Sequence, residues 1–390
     1  MTWVILFEAS AFLNRSERSR LMRYSGCERV NDPLSALSNA DSLPRLPRAN
    51  TGIAFPSAPP FTHRHDFMSD RKISVLLPCY NQARYLPQAI ESVLSQQNAD
   101  WELLISDDAS TDNSAEIIRA YAARDPRIRF HLQSPNLGMA ANWNWCLLHA
   151  TGRYVKFLFG DDYHCAPDAL AALSHALESH PAATLATSAR LIVGEDSQTR
   201  SIAGDLGGDG LKPGGPTIVR CLLSGKNLIG EPSAAMFRRD AARRGFDPTY
   251  RQLIDLEFWA HLLEQGDLAY VSRPLCAFRR HDEQQTAVNR RTRAGEEEGL
   301  RLQLKYLPLV QRHLATGGSP HEVRQALFRS LYFVRKTRIR CNESHADERA
   351  LMRELNPVWY AAYWLRHRLT KPFANLHKAT RRQPSAARHP

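Results

Sequence analysis

Residues 154–168 read YVKFLFGDDYHCAPD, and the pattern of this stretch indicates the fold. The apolar run from Tyr154 to Phe159 has the length and composition of a buried strand, and it ends at Gly160, Asp161 and Asp162. Neighbouring side chains on a strand point to opposite faces, so one carboxylate can face an ion while the other serves a sugar or the loop. Carboxylate oxygens suit Mg²⁺ or Mn²⁺. The alternative is a turn that ends in solvated acids, since Asp is frequent in turns.

Apolar strands alternate with helical patterns through the region that precedes this stretch. Strands are predicted at Ile73–Leu77, Glu102–Ser106, Ile128–Leu132 and Tyr154–Phe159, and helices from Leu86, at Ala115–Ala123 and at Met139–Ala150. This alternation predicts βαβ units, an α/β fold class and a largely parallel sheet. In such sheets, ligands bind beyond the carboxyl ends of the strands. Residues 78–81, 107–112 and 161–162 should therefore meet on one rim.

Two of these rim groups have more than one interpretation. Asp107 and Asp108 can accept hydrogen bonds from a nucleobase N–H or from ribose hydroxyls. The segment that follows them also fits a helix N-terminus capped by Asp112 or Ser114. Residues 78–81 fit either a binding loop or simple turn chemistry.

Charge is distributed unevenly along the 390 residues. The chain has a formal net charge of +11, and residues 289–390 contain 21 Lys and Arg but only 8 Asp and Glu. The rest of the chain is therefore slightly acidic, which predicts that the C-terminal part meets an anionic surface. Seven cysteines without CxxC spacing argue against a zinc site or a disulfide framework, and they suit a reducing cytoplasm. No continuous apolar stretch approaches the length of a membrane span.

The chain is expected to have three parts. Residues 1–67 lack a sustained period and predict a disordered leader, and Met68 is a plausible translation start, so this leader need not be translated. Residues 71–285 are expected to form the α/β domain. Residues 294–390 predict a basic helical region. Within it, the aromatic and basic residues of 357–369 suit a helix at an anionic lipid surface, and equally a packed core helix.

A series of short motifs resembles family 2 glycosyltransferases. These motifs are PCYN at 78–81, ISDDASTDNS at 105–114, NLG at 136–138, KFLFGDD at 156–162 and PDAL at 167–170. The resemblance covers roughly residues 71–285. It implies a GT-A fold, in which a nucleotide-binding parallel sheet joins an acceptor-binding part. It also implies a nucleotide-sugar donor, with a UDP-sugar as the preferred candidate, and a divalent cation, Mg²⁺ or Mn²⁺.

The resemblance assigns the donor side residue by residue. It implies that Pro78, Tyr80, Asp107 and Asp108 hold the nucleoside, and that Asp161 and Asp162 lie on the DXD metal motif. Gly160 replaces the first acid of that motif, so the ion should depend chiefly on Asp162. Trp143 stands where the family usually has an Arg after the NxG segment.

The acceptor side is assigned in the same way. Residues 229–239, IGEPSAAMFRR, resemble the acceptor loop and imply that Glu231 and Ser233 lie near the sugar, although Ser233 can also cap a turn. Residues 253–264 form an amphipathic helical pattern with Asp255 in the first turn. The resemblance implies that Asp255 is the catalytic base, with Glu257 as the fallback. Without the resemblance, the pattern is that of an ordinary capped helix.

Two further segments complete the predicted site. Residues 276–286, CAFRRHDEQQT, resemble the segment that closes over the diphosphate. There His281 is expected to bind the metal or a phosphate, and Arg279 or Arg280 to neutralise the phosphate charge. The Gly- and Pro-rich residues 194–216 predict a mobile loop, which is either a lid or a surface connection.

The implied activity is a direct, inverting displacement of a nucleoside diphosphate by an acceptor hydroxyl. The expected acceptor is a glycan or lipid-linked glycan in cell-surface polysaccharide or glycolipid synthesis. The expected location is the cytoplasm, with attachment to the inner face of the cell membrane through the basic region. The rival interpretations are an inactive sugar-nucleotide-binding protein and a nucleic-acid-binding protein. No nucleic-acid partner is expected, because the basic region lacks a recognisable binding motif.

Overall fold

The computed structural model describes residues 73–97, 100–204, 206–282, 284 and 294–316. The predicted leader at 1–67 and the start at Met68 lie outside the described residues. So does the basic region after residue 316, including the aromatic segment 357–369.

A single sheet organises the described part of the chain, and ten strands belong to it. Their order is β3-β2-β1-β4-β9-β6-β10-β5, with β7 paired to β6 and β8 paired to β10. The strands are β1 (Ile73–Cys79), β2 (Trp101–Asp107), β3 (Ile128–Leu132), β4 (Tyr154–Phe157), β5 (Tyr163–His164), β6 (Ala183–Val193), β7 (Thr199–Ala203), β8 (Gly210–Lys212), β9 (Ala235–Arg238) and β10 (Asp267–Arg279).

The first half of the sheet is parallel, as the alternating pattern predicts. β1 pairs in parallel with both β2 and β4, and β2 pairs in parallel with β3. Every residue of β1, β2 and β4 is buried, which is typical of parallel strands covered on both faces. In register, Cys79 lies beside Asp107, so the loops after β1 and β2 leave the sheet side by side.

The second half of the sheet mixes both directions. β9 runs antiparallel to β4 and β6, whereas β10 runs parallel to β6 and antiparallel to β5 and β8. β9 therefore connects the parallel half to the second half through β4. The α/β prediction is confirmed, with antiparallel pairings added in the second half of the sheet.

Helices cover both faces of the sheet. Side chains alternate between two cores along β1, with Leu76 in one and Val75 and Leu77 in the other. The helices are α1 (Leu86–Leu94), α2 (Ser114–Ala122), α3 (Met139–Leu148), α4 (Ala169–Ser179), α5 (Gly214–Ser224), α6 (Ile254–Leu263), α7 (Ala294–Lys305) and α8 (Leu307–Ala315). None of the helices in the described residues is both long and apolar enough to cross a bilayer.

The structure corrects the prediction of a loop at residues 194–216. β7 forms a hairpin with β6, and β8 pairs with β10. The segment also contains the start of α5. Composition predicted a loop because Gly and Pro disfavour strands, but here neighbouring strands supply backbone partners to these short segments.

Candidate active site

Asp162 lies at the bottom of the loop that follows β4. Its Oδ1 accepts a hydrogen bond from the backbone N–H of Arg279 at 2.9 Å, and its Oδ2 is buried without a hydrogen-bond partner in the described residues. Burial, followed by the charge of Asp161, raises the pKa of Asp162 well above its ordinary value. A cation beside Oδ2 would stabilise the ionised form of this carboxyl.

Asp161 pairs with His281 across the end of the sheet. His281 Nε2 lies 3.0 Å from Asp161 Oδ2, and both side chains are mostly buried. The ring of Tyr85 lies 5.3 Å from the His281 ring, centroid to centroid. The loop after β4 and the residues that follow β10 are thus joined, although 120 residues separate the two partners, and the predicted binding of metal or phosphate by His281 stays a prediction.

Arg279 connects three segments beneath this pair. Its guanidinium donates to the carbonyls of Asp161, Gly194 and Glu195, to Ser197 Oγ and to Gln88 Oε1, at distances of 2.6–3.1 Å. The side chain is buried, so its donors are used inside the protein. This position corrects the prediction that Arg279 contacts a diphosphate. Arg280 is exposed, and its role in neutralising the phosphate charge stays a prediction.

The nucleoside-side residues lie at the ends of β1 and β2. Pro78 is buried within β1, whereas the Tyr80 ring is 50% exposed. Asp107 Oδ2 accepts a hydrogen bond from the Ser110 N–H at 3.0 Å, and its Oδ1 is buried without a partner in the described residues. Asp107 therefore keeps one acceptor oxygen that is not used in the described residues, and its contact with a nucleoside stays a prediction.

Asp108 has a different role from Asp107. Its two carboxylate oxygens accept the N–H groups of Leu137 and Gly138 at 2.7 and 2.9 Å, and its carbonyl accepts from Asn136 Nδ2. Gly138 has a φ of +82°, a conformation that favours glycine. Asp108 therefore orders the NLG loop, which corrects the interpretation of its carboxylate as a free ligand for ribose.

Ser233 lies under the metal-motif loop and has no exposed surface. Its Oγ accepts the Phe159 N–H at 3.1 Å, and its carbonyl accepts from Lys156 Nζ. The predicted contact of Ser233 with an acceptor sugar is therefore corrected to a supporting role. Glu231 is partly exposed and forms an ion pair with the buried Arg190, a residue of β6 that the motifs did not indicate.

Asp255 occupies the first turn of α6 and is partly exposed. Its Oδ2 accepts from Asn227 Nδ2 at 2.9 Å, and its Oδ1 accepts the Leu256 N–H at 2.7 Å. Burial raises the pKa of Asp255 to about 7, and the charge of Glu231 acts in the same direction. A carboxyl with this pKa can take up a proton near neutral pH.

Glu257 has no exposed surface and is surrounded by cations. Arg244 forms two hydrogen bonds with its carboxylate, at 2.7 and 2.6 Å, and Lys305 Nζ lies 2.6 Å from Oε1. Such a group cannot reach an acceptor hydroxyl. This corrects the interpretation of Glu257 as a fallback base.

The sequence profile described as "Glycosyl transferase family 2" matches residues 74–246. An uncharacterized protein of Mycobacterium tuberculosis is 34% identical over 230 residues, which are 57% of this chain and 69% of that protein. The chain belongs to glycosyltransferase family 2. As a member of this family it has the GT-A fold that its motifs predicted, and it is a transferase.

Two Bacillus subtilis relatives of this glycosyltransferase align over shorter segments. The putative glycosyltransferase EpsE is 45% identical over 95 residues, which are 24% of this chain and 34% of EpsE. The putative teichuronic acid biosynthesis glycosyltransferase TuaG is 41% identical over 90 residues, which are 23% of this chain and 36% of TuaG. The chain therefore spans about a third of the length of these two relatives.

Two solved structures align with the fold of this chain. S. aureus TarS 1–349 in complex with UDP-GlcNAc aligns with a TM-score of 0.48 and 15% identity, covering 67% of this chain and 79% of that one. The mannosyltransferase PcManGT from Pyrobaculum calidifontis, in complex with GDP-Man and Mn²⁺, aligns with a TM-score of 0.46 and 16% identity. That alignment covers 77% of this chain and 86% of PcManGT.

The side chains around the metal motif fit a divalent cation in donor type. The unpartnered Asp162 Oδ2 and the pair of Asp161 and His281 supply oxygen and imidazole donors. Among the described residues, no cluster of three or more His, Cys, Asp or Glu side chains has the arrangement of a complete metal centre. A cation bound here would thus take its remaining ligands from donor phosphates and water.

The side-chain amide of Gln82 lies against the glycine of the predicted metal motif. A Cβ at Gly160 would lie 2.4 Å from Gln82 Oε1, an oxygen that is buried and has no hydrogen-bond partner in the described residues. The glutamine amide therefore occupies the space where a first acid would begin. No motif points to Gln82, because it lies after β1, 78 residues before Gly160 in the chain.

Proposed function

We propose that this family 2 enzyme is a metal-dependent, inverting glycosyltransferase that transfers a sugar from a nucleoside diphosphate sugar to an acceptor hydroxyl. The observation that carries the proposal is the difference in environment between two carboxyl groups, those of Asp162 and Asp255. Asp162 is fully buried and has an unpartnered oxygen, whereas Asp255 is partly exposed and has a pKa of about 7. The first suits charge stabilisation and the second suits proton removal.

Glu231 connects these two carboxyl groups. Burial and then Asp161 raise the pKa of Asp162, and the charge of Glu231 adds to this effect. The same Glu231 charge adds to burial in raising the pKa of Asp255. Glu231 therefore acts electrostatically on both groups, which supports the proposal that the two carboxyls belong to one site.

In the proposed reaction, Asp255 removes a proton from the acceptor hydroxyl, and the hydroxyl oxygen attacks the anomeric carbon. The bond to the nucleoside diphosphate breaks in the same step, which inverts the anomeric centre. Asp162, with Asp161 and His281, would hold the divalent cation, which supplies positive charge to the leaving diphosphate. Asp107 Oδ1 accepts a hydrogen bond from the nucleoside, and the Tyr80 ring lies at the same strand ends.

We infer that the acceptor is a glycan or lipid-linked glycan of the cell surface, and that the enzyme works at the inner face of the membrane. One relative carries the name of a teichuronic acid biosynthesis glycosyltransferase, which supports a polysaccharide product. The excess of Lys and Arg in residues 289–390 supports contact with anionic lipid. Co-sedimentation of the full chain with vesicles that contain phosphatidylglycerol tests the membrane part, and equal binding to neutral vesicles contradicts it.

The donor part is tested by calorimetry of UDP-, GDP- and dTDP-sugars with the full chain, with and without Mn²⁺. We expect one donor class to bind with Mn²⁺ and to lose this dependence in Asp162→Asn. Asp100→Asn is the matched control, because Asp100 is exposed and precedes β2, at the opposite end of the strand from the rim residues. Mn²⁺-independent binding that Asp162→Asn does not change contradicts the proposed metal role.

A further inference from the structure

Helix α7 lies outside the region that the family profile matches, yet it contacts the start of α6 directly. Its Glu298 is buried, with 4% of its surface exposed. Glu298 Oε1 accepts the Arg251 N–H, and Oε2 accepts the N–H groups of Gln252 and Leu253, all at 2.8 Å. These three residues immediately precede α6, which begins at Ile254. A carboxylate from a distant segment therefore holds the backbone that leads into this helix.

The backbone that Glu298 holds leads directly to Asp255. Leu253 is the N-cap residue of α6, so its N–H has no partner within the helix, and a carboxylate near a helix N-terminus is further stabilised by the helix dipole. Here one buried side chain satisfies three successive N–H groups with charge-assisted hydrogen bonds. Asp255 follows Leu253 by two residues, so the direction of its side chain depends on the backbone that Glu298 holds.

The packing of α7 supports the same conclusion. A Cβ at Gly295 would lie 2.7 Å from Gln252 Cγ, and a Cβ at Gly299 would lie 3.8 Å from Leu253 Cδ1. Only the first of these distances is too short for a Cβ, so Gly295 lets α7 lie close to the segment that Glu298 holds, whereas a Cβ at position 299 would make an ordinary contact. At the other end of α7, Lys305 pairs with Glu257 of α6. The helix therefore holds α6 at two points.

We propose that Glu298 is a positioning residue for Asp255, and that α7 is an integral part of the acceptor side of the active site. This inference rests on the proposed function, because it takes Asp255 as the base. Glu298 does not contact the reacting groups. It fixes the backbone from which Asp255 meets the acceptor hydroxyl.

The test compares Glu298→Gln and Glu298→Ala in the full chain with Arg301→Ala as the control. Arg301 lies one turn further along α7 and contacts Thr249 instead of the start of α6. Nucleoside diphosphate release is measured over a panel of UDP- and GDP-sugars with Mn²⁺, using water or an alkyl glycoside as the acceptor. We expect kcat to fall about 100-fold in Glu298→Ala and about 10-fold in Glu298→Gln, since small misplacements of a catalytic group have effects of this size. The donor Kd of both Glu298 variants should stay within about two-fold of the wild-type value, and so should kcat and donor Kd of Arg301→Ala.

Hydrogen exchange supplies a measurement that needs no substrate. The amides of residues 251–253 should exchange faster in Glu298→Ala than in Arg301→Ala. Unchanged exchange, unchanged kcat, or a parallel loss of donor affinity and kcat overturns the positioning role. Wild-type protein that neither binds nor cleaves any donor contradicts the proposed function instead, and the exchange result then still decides whether Glu298 holds the start of α6.

Discussion

The donor half and the acceptor half of the active site are held together in different ways. In the donor half, loops at adjacent strand ends bind one another. The Asn81 N–H donates to Ser110 Oγ, and Asn81 Oδ1 accepts the Thr111 N–H. In the acceptor half, Asp255 lies on a helix anchored by Glu298 and by an ion triad in which the buried Glu257 pairs with the partly exposed Arg244 and Lys305. Beside β1 and β2 the donor half thus uses backbone amides of neighbouring loops, whereas the acceptor helix is held by charged side chains of other segments.

This difference has a consequence for mutational sensitivity. A loop carboxylate such as Asp108 binds N–H groups whose positions the sheet already limits. Helix α6 depends on the pairing of the buried Glu257 carboxylate with Arg244 and Lys305. Removing one of these cations leaves the buried carboxylate incompletely compensated. Substitutions in the acceptor half should therefore affect both stability and turnover, while donor binding stays largely intact.

The largest expected effect is on turnover in Asp255→Asn. Removal of the base should lower kcat about 10²- to 10⁴-fold, because a general base contributes rate enhancement of this size. Donor Kd should stay near the wild-type value, since the nucleoside and metal groups lie in the other half. Steady-state kinetics with calorimetry measures both quantities.

The matched control for this experiment is Asp240→Asn. Asp240 is an exposed aspartate whose Oδ1 also accepts a neighbouring backbone N–H. It should keep wild-type kinetics. Full turnover by Asp255→Asn would remove Asp255 from the mechanism and leave the donor site as assigned.

The next largest effect is on the stability of Arg244→Met. Loss of the guanidinium leaves the buried Glu257 carboxylate with Lys305 as its remaining cation, which should reduce the free energy of unfolding by about 3 kcal/mol. Urea denaturation of the full chain measures this change. Arg243→Met is the control, because Arg243 is exposed beside it. Equal urea midpoints for the two variants would mean that the triad contributes no net stability.

The smallest effect is a change in pH dependence in Asn227→Ala. Burial raises the pKa of Asp255 to about 7, and the Asn227 hydrogen bond opposes this rise. Without that hydrogen bond the pKa rises further, and because the base acts when ionised, the ascending limb of kcat/KM should move to higher pH. We expect a shift of less than about one pH unit. A pH–rate profile measures it.

The donor-half comparison for this profile is Asn136→Ala. Asn136 holds the NLG loop through its bond to the Asp108 carbonyl. We expect weaker donor binding from this variant without movement of the ascending limb. If the ascending limb of kcat/KM against pH stays in place in Asn227→Ala, or moves in both variants, Asp255 does not set the pH dependence.

The fold of the parallel half could be predicted closely from local patterns. The predicted strand Ile128–Leu132 has the same bounds in the structure, and the apolar runs before Pro78 and Asp107 form β1 and β2. Such strands are buried on both faces, so their composition alone marks them. The strands β7 and β8 escaped prediction because pairing with β6 and β10 forms them, against an unfavourable composition.

The sequence by itself determined the α/β class, the rim of polar loops and the acids at residues 107, 108, 161, 162 and 255, because strand period and motif order are local properties. Tertiary structure alone decided what each side chain does there. It left Asp107 and Asp162 with unpartnered oxygens, while it used Arg279, Ser233 and Glu257 inside the protein. It also brought Asn227 and Glu298 to the base helix. The physical reason is that burial, hydrogen-bond occupancy and pKa depend on partners from 28 to 120 residues away, which no local pattern encodes.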